Sequence, residues 1–142
     1  MEDHNLPKTF DEVKDSHMDP SGVFKYIQID FKDGDQVKTV VRGYASCPYH
    51  ADVLAKFEHE ELKYYVKKDK IASCPGGGRI DFNPEEKKIN IYGHSVGFGL
   101  ANHQITKDIL QKDYPDFEIT WSNEGYWKIK LIFINMGFWG FG

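Results

Sequence analysis

Between Val23 and Phe31 the chain reads VFKYIQIDF, and Asp33-Gly34 follows. The run is rich in β-branched and aromatic residues and alternates with period two, the pattern of a strand. Asp-Gly is a strong hairpin signal, and Val37 to about Tyr44 reads as the returning strand. Any fold for this chain therefore has to contain this antiparallel pair. Val23, Lys25, Ile27, Ile29 and Phe31 share one face, and Lys25 is the odd residue on it. It is either a lysine snorkelling at a strand edge or a cation aimed at a site on that face.

Cys47-Pro48 breaks the second strand. A helix is expected from about Tyr49 to Val66, with Val53, Leu54, Phe57, Leu62, Tyr65 and Val66 on its apolar side and His50 in its first turn. Lys70 to Cys74 reads as a third strand. It runs into Pro75-Gly76-Gly77-Gly78-Arg79 and Ile80-Asp81-Phe82. Three glycines inside a strand signal a bulge or a close backbone approach. Asn83-Pro84-Glu85-Glu86 is a turn, and Lys87 to Tyr92 returns. A second helix is expected from about Leu100 to Lys112, with Ala101, Ile105 and Ile109 stacked. Phe117 to Trp121 is a last strand. The expected fold is thus α/β of the α+β type: one small domain, a mostly antiparallel or mixed sheet flanked by two helices.

Residues 1–20 are polar and carry the Asp19-Pro20-Ser21-Gly22 turn cluster, so they are expected to be a flexible tail. Residues 21–126 form the expected domain. Residues 127–142, WKIKLIFINMGFWGFG, differ from the rest in being apolar, aromatic and glycine-rich. They are expected to be an atypical extension. The N-terminal segment has no apolar core of a secretory signal, and no apolar run reaches the roughly 20 residues of a membrane span. A net charge of −4 argues against non-specific binding to nucleic acid or an anionic membrane. Two distant cysteines, Cys47 and Cys74, form no C-x-x-C motif and read as reduced thiols. The expectation is a cytoplasmic protein with no nucleic-acid or membrane partner.

The stretch Tyr92 to Gly99, YGHSVGFG, follows a strand and precedes a helix. A glycine loop feeding a helix N-terminus offers bare N–H groups to an anion. The same stretch holds G-x-S-x-G, the nucleophile elbow of α/β-hydrolases. A triad built on Ser95 needs an acid and then a histidine after it. His103 follows eight residues later, with no separate acid between. Zinc fares worse, because the histidines show no H-E-x-x-H pairing. Phosphoryl chemistry needs cations, N–H donors and a group that attacks or moves a proton. Lys25, Arg42 and Arg79 lie at strand ends or beside glycines, the Ser95 loop supplies N–H groups, and His50 titrates near neutrality.

The segments GVFKYI (22–27), VRGY (41–44), YHADV (49–53), GGGRI (76–80), YGHSVGFG (92–99) and YPDFEITWSNEGY (114–126) resemble the janus family, the 14 kDa phosphohistidine phosphatases. The resemblance implies a monomer that hydrolyses the P–N bond of phosphohistidine in proteins, with phospholysine a second candidate, and that needs no metal or other cofactor. It implies His50 as the essential histidine, general base or nucleophile. Lys25, Arg42, Arg79, Ser95, Val96 and Gly97 are then the phosphate-binding residues, and His103 supports the site. The chain departs from the family pattern at His94, where an aromatic residue is usual, and at Val96-Gly97, where Met-Ala is commoner. Two other expectations stay open: a phosphoprotein-binding module without catalysis, and a serine hydrolase using Ser95.

Overall fold

The computed structural model describes residues 6–63, 65 and 70–123. Val66, Glu124 to Tyr126 and the extension 127–142 lie outside them. Among the described residues the sheet has six strands: β1 (Ser16–Met18), β2 (Gly22–Asp33), β3 (Gln36–Gly43), β4 (Lys70–Asn83), β5 (Lys88–Tyr92) and β6 (Glu118–Trp121). Their spatial order is β1-β3-β2-β4-β5-β6. The three inner pairings, β3–β2, β2–β4 and β4–β5, are antiparallel, and the two outer ones, β1–β3 and β5–β6, are parallel. Two α-helices pack on it among the described residues, α1 (His50–Lys56) and α2 (His103–Asp113).

β2 is the centre of the sheet and is buried on both faces. Ile27, Ile29 and Phe31 pack with Val53 and Phe57 under α1. Phe24 and Tyr26 pack with Ile109 and Leu110 under α2. An apolar alternation on one face and bulky residues on the other suit a strand sandwiched between two helices. The hairpin forms as expected, with Asp33 paired to Gln36 and Gly34 at φ 60°.

Residues 16–18 were expected in a flexible tail and instead form β1. His17 pairs with Arg42, while Leu6, Val13 and Met18 are buried. That order comes from pairing and burial, which local composition does not show. The first helix also differs. Its regular part ends at Lys56, and a π-helical turn, Phe57–Glu61, continues it. The second begins three residues later than expected: Asn102 caps α2 by accepting the Gln104 N–H, 3.1 Å away. Consequently Ala101 precedes the helix and Ile105 is exposed. His103 and Thr106 are buried with Ile109 and Leu110.

β4 runs continuously through its glycines. Its register against β2 slips by one residue, because Gln28 pairs with Gly76 and Asp30 with Ser73. The extra residue falls at Cys74-Pro75, a bulge that suits a residue with no N–H. The three glycines permit close approach from both faces. A Cβ on Gly77 would lie 2.9 Å from His50 Cδ2, and one on Gly78 2.7 Å from His103 Cε1.

Candidate active site

Lys25 on β2 and Arg79 on β4 are register partners, so their side chains stand side by side on the α1 face of the sheet. α1 does not cover that end. Lys25, Arg79, the start of α1 and the loop 94–98 enclose a cavity of about 710 Å³. Its lining includes Lys25, His50, Arg79 and His94 and, among the described residues, no carboxylate. Arg79 has no hydrogen-bond or ion-pair partner among the described residues. Lys25 Nζ donates to the Pro48 carbonyl at 2.7 Å and lies over the Tyr49 ring, 5.5 Å from its centroid. Two neighbouring cations with no carboxylate beside them among the described residues create a positive local potential, which attracts anions.

His50 is the first residue of α1. The turn before it is held by the Asp52 carboxylate, which accepts the Tyr49 N–H at 3.0 Å. The imidazole Nε2 lies 2.9 Å from the Gly78 carbonyl oxygen. A carbonyl only accepts, so Nε2 carries the proton, and in the neutral ring Nδ1 keeps its lone pair. Burial lowers the pKa below the usual histidine value. The Gly78 bond opposes this, and the positive groups Lys25, Arg79 and His94 add to the lowering. The ring is thus kept neutral and basic at Nδ1 around neutral pH, as a general base or nucleophile must be.

The glycine loop closes on itself. Ser95 and Gly99 exchange two backbone bonds, of 3.0 and 2.7 Å, and the Gly99 carbonyl also accepts the Gly77 N–H. Ser95 Oγ accepts the Phe98 N–H at 3.1 Å. At the tip, the N–H groups of Val96 and Gly97 have no protein acceptor among the described residues. The loop does not feed directly into a helix N-terminus, since Leu100 to Asn102 intervene. Any anion contact here comes from the loop N–H groups themselves.

Ser95 lines the cavity but is only 1% exposed. The histidine that follows it, His103, is committed elsewhere: Nε2 to the Gly93 carbonyl at 2.9 Å and Nδ1 to the Tyr26 hydroxyl at 2.6 Å. That takes His103, the histidine the triad order required, away from Ser95, and the Ser95 hydroxyl instead stabilises the loop. His103 lies on the far face of the sheet, bonded to the carbonyl from which the loop departs.

Arg42 was expected to bind phosphate and does not line the cavity. It is fully buried, with Nε and Nη2 donating to the two Glu61 oxygens at 2.7 and 2.9 Å. Nη1 and Nη2 also donate to the carbonyls of Val41 and Lys14, and the guanidinium lies over the Phe57 ring. These bonds use the fork that would have met a phosphate. The partner glutamate sits on the π-helical turn, which sequence does not reveal.

The cavity also gains residues that were not expected as ligands. Tyr49, 68% exposed, stands at its rim beside the expected Val96, and His94 lines it. Tyr49 adjoins His50 and His94 adjoins Ser95, so adjacency to chosen residues was the available signal.

The sequence model of the Janus/Ocnus family matches residues 10–118. The "Sex-regulated protein janus-A" of Drosophila melanogaster is 50% identical over 111 residues, 78% of this chain and 79% of that one. The same-named protein of Drosophila pseudoobscura pseudoobscura is 42% identical over 116 residues, 77% and 74% of the two chains. The "14 kDa phosphohistidine phosphatase" of Sus scrofa is 37% identical over 122 residues, covering 81% of this chain and 94% of its own. With a family match running from before β1 to the start of β6, and relatives of this similarity, the chain belongs to the Janus/Ocnus family.

Proposed function

We propose that this protein is a phosphohistidine phosphatase that hydrolyses the P–N bond of phosphohistidine in other proteins. The observation carrying the reading is the cavity, where a histidine with an unprotonated Nδ1 faces two cations and no carboxylate among the described residues lines the wall. The named activity of the Sus scrofa relative points the same way.

On this reading Lys25 and Arg79 neutralise the phosphoryl oxygens, and the N–H groups of Val96 and Gly97 orient them. Ser95 holds the loop that presents those groups. Positioning and charge stabilisation are the main requirements of phosphoryl transfer. His50 Nδ1 takes a proton from water as the water oxygen bonds to phosphorus. The P–N bond breaks, and the leaving imidazole keeps its electron pair and takes a proton from solvent, to which His50 returns its own. Alternatively, Nδ1 attacks phosphorus itself as the substrate P–N bond breaks and its imidazole leaves with a proton from solvent, and water then hydrolyses the phosphorylated His50. Side chains supply the positive charge in both routes, so the reading requires no metal. It takes the protein to act as a cytoplasmic monomer on phosphohistidine-containing proteins.

The test is phosphate release from a phosphohistidine protein with and without chelator. Release that survives chelation is expected from the wild type. Binding without release would instead assign a phosphoprotein-binding module, the reading left open by the janus-A relatives, whose names state no chemistry.

A further inference from the structure

Beneath the cavity, on the α2 face of the sheet, lies a run of buried polar groups. Gln28 Nε2 donates both to the Asn102 carbonyl and to Thr106 Oγ1, each at 2.7 Å. Thr106 Oγ1 lies 2.9 Å from the Tyr26 hydroxyl, which lies 2.6 Å from His103 Nδ1. His103 Nε2 lies 2.9 Å from the Gly93 carbonyl oxygen. Gln28, Tyr26, His103 and Thr106 are all at most 3% exposed.

The direction of every bond follows from its two ends. The Gly93 carbonyl only accepts, so His103 Nε2 carries the proton and Nδ1 accepts from Tyr26 in the neutral ring. Burial lowers the His103 pKa and favours that neutral ring. The Asn102 carbonyl only accepts, so the Gln28 amide presents its nitrogen to Thr106. Thr106 accepts from Gln28 and donates to Tyr26, and Tyr26 donates to His103. The run is one ordered chain of donors, from Gln28 on β2 to the Gly93 carbonyl. Such buried networks are worth most when every member is satisfied.

Gly93 is where the loop leaves β5, and its φ of 71° sets the direction of departure. Three residues on, the loop presents the Val96 and Gly97 N–H groups. We propose that Gln28 and Thr106, neither of which lines the cavity, are positioning residues for the phosphate loop. Through Tyr26 they orient His103, and His103 holds the Gly93 carbonyl. Loosening that anchor lowers the fraction of molecules whose loop can bind, and apparent affinity falls by the same fraction. The inference rests on the phosphatase reading for what the loop binds.

The test uses Thr106→Val, Thr106→Ser and Gln28→Leu in the full chain, with inorganic phosphate as the probe. Amide shifts of Val96 and Gly97 report binding, and KM and kcat are measured in parallel. Thr106→Val and Gln28→Leu should weaken phosphate binding and raise KM roughly five- to tenfold, about one net hydrogen bond. Thr106→Ser, which keeps the hydroxyl, should restore both. The pH limb of kcat set by His50 should not move. Unchanged phosphate affinity and KM in folded Thr106→Val and Gln28→Leu would overturn the proposal. If neither variant folds, the imidazole ¹⁵N spectrum of the wild type decides: a proton on His103 Nε2 is expected, and one on Nδ1 would overturn it. Absence of any phosphate-dependent shift in the wild type would instead count against the phosphatase reading.

Discussion

Arg42→Met is the sharpest test of how the charged residues divide between fold and site. The substitution removes two charge-assisted bonds to Glu61 and one each to the Val41 and Lys14 carbonyls. It leaves the Glu61 carboxylate, with its side chain 8% exposed, without its cation. Breaking a buried pair by removing one partner costs about 3–5 kcal/mol, a large share of a total stability of roughly 5–15 kcal/mol. At roughly 2–4 °C per kcal/mol for a domain near this size, Tm should fall by about 6–20 °C. The double variant Arg42→Met/Glu61→Leu should recover most of that, since well-packed apolar replacements of buried pairs are often neutral or stabilising. Arg42 does not line the cavity, so below the melting transition KM should be unchanged per folded molecule. Calorimetry and steady-state kinetics on the three variants measure both quantities. A wild-type Tm with a tenfold rise in KM would refute the reasoning and return Arg42 to the phosphate.

Three further outcomes follow from the geometry. Arg79→Gln should raise KM by roughly an order of magnitude, the typical weight of one charged hydrogen bond. It should also move the acid limb of the pH–rate profile upward, because Arg79 is one of the positive groups lowering the His50 pKa; a limb that stays put would separate the two residues. Gly77→Ala should depress activity more than stability, since its Cβ would meet the Tyr26 carbonyl oxygen at 2.6 Å and the His50 ring at 2.9 Å. Overpacking of this kind costs about 1–3 kcal/mol, and normal turnover would show that His50 tolerates displacement. Finally, burial lowers the pKa of His17, His50 and His103 alike. The unfolded chain then binds more protons than the native one once pH falls below about 6.5, so stability should drop as pH is lowered through that value. A Tm that rises on mild acidification would contradict the neutral assignments.

The strands of the inner sheet were legible because their signals are local. Alternation over Val23 to Phe31 and the Asp-Gly turn specify β2 and β3, and the Asn83-Pro84 turn specifies the β4–β5 hairpin. β1 was not legible, because Ser16-His17-Met18 has no strand pattern of its own and is a strand only by pairing with β3. The inward stripe of α2 was misread for a related reason. Ile105 is more apolar than Thr106, yet Thr106 faces in because Gln28 and Tyr26 offer it hydrogen bonds across the sheet. At the site, Lys25, His50, Arg79 and the Ser95 loop do converge on one cavity. Arg42 carried the same charge and lay beside a glycine as Arg79 does. Only the position of Glu61 separates a buried structural arginine from an open one, and that contact spans two elements. Lys25 is half-buried beside Arg79 at the cavity, with its ammonium on the Pro48 carbonyl.

The central claim is that His50 does the chemistry in a cavity built for a phosphoryl group. The most direct measurement is phosphate release from a phosphohistidine protein by His50→Ala, with folding checked by circular dichroism. His50 is half-buried, and Val53, not His50, supplies the core contact of α1, so the variant should fold. It should lose at least 100-fold in kcat, the lower range for removing a general base, and should still bind inorganic phosphate through Lys25, Arg79 and the loop. Turnover near the wild-type rate by the folded variant would contradict the account.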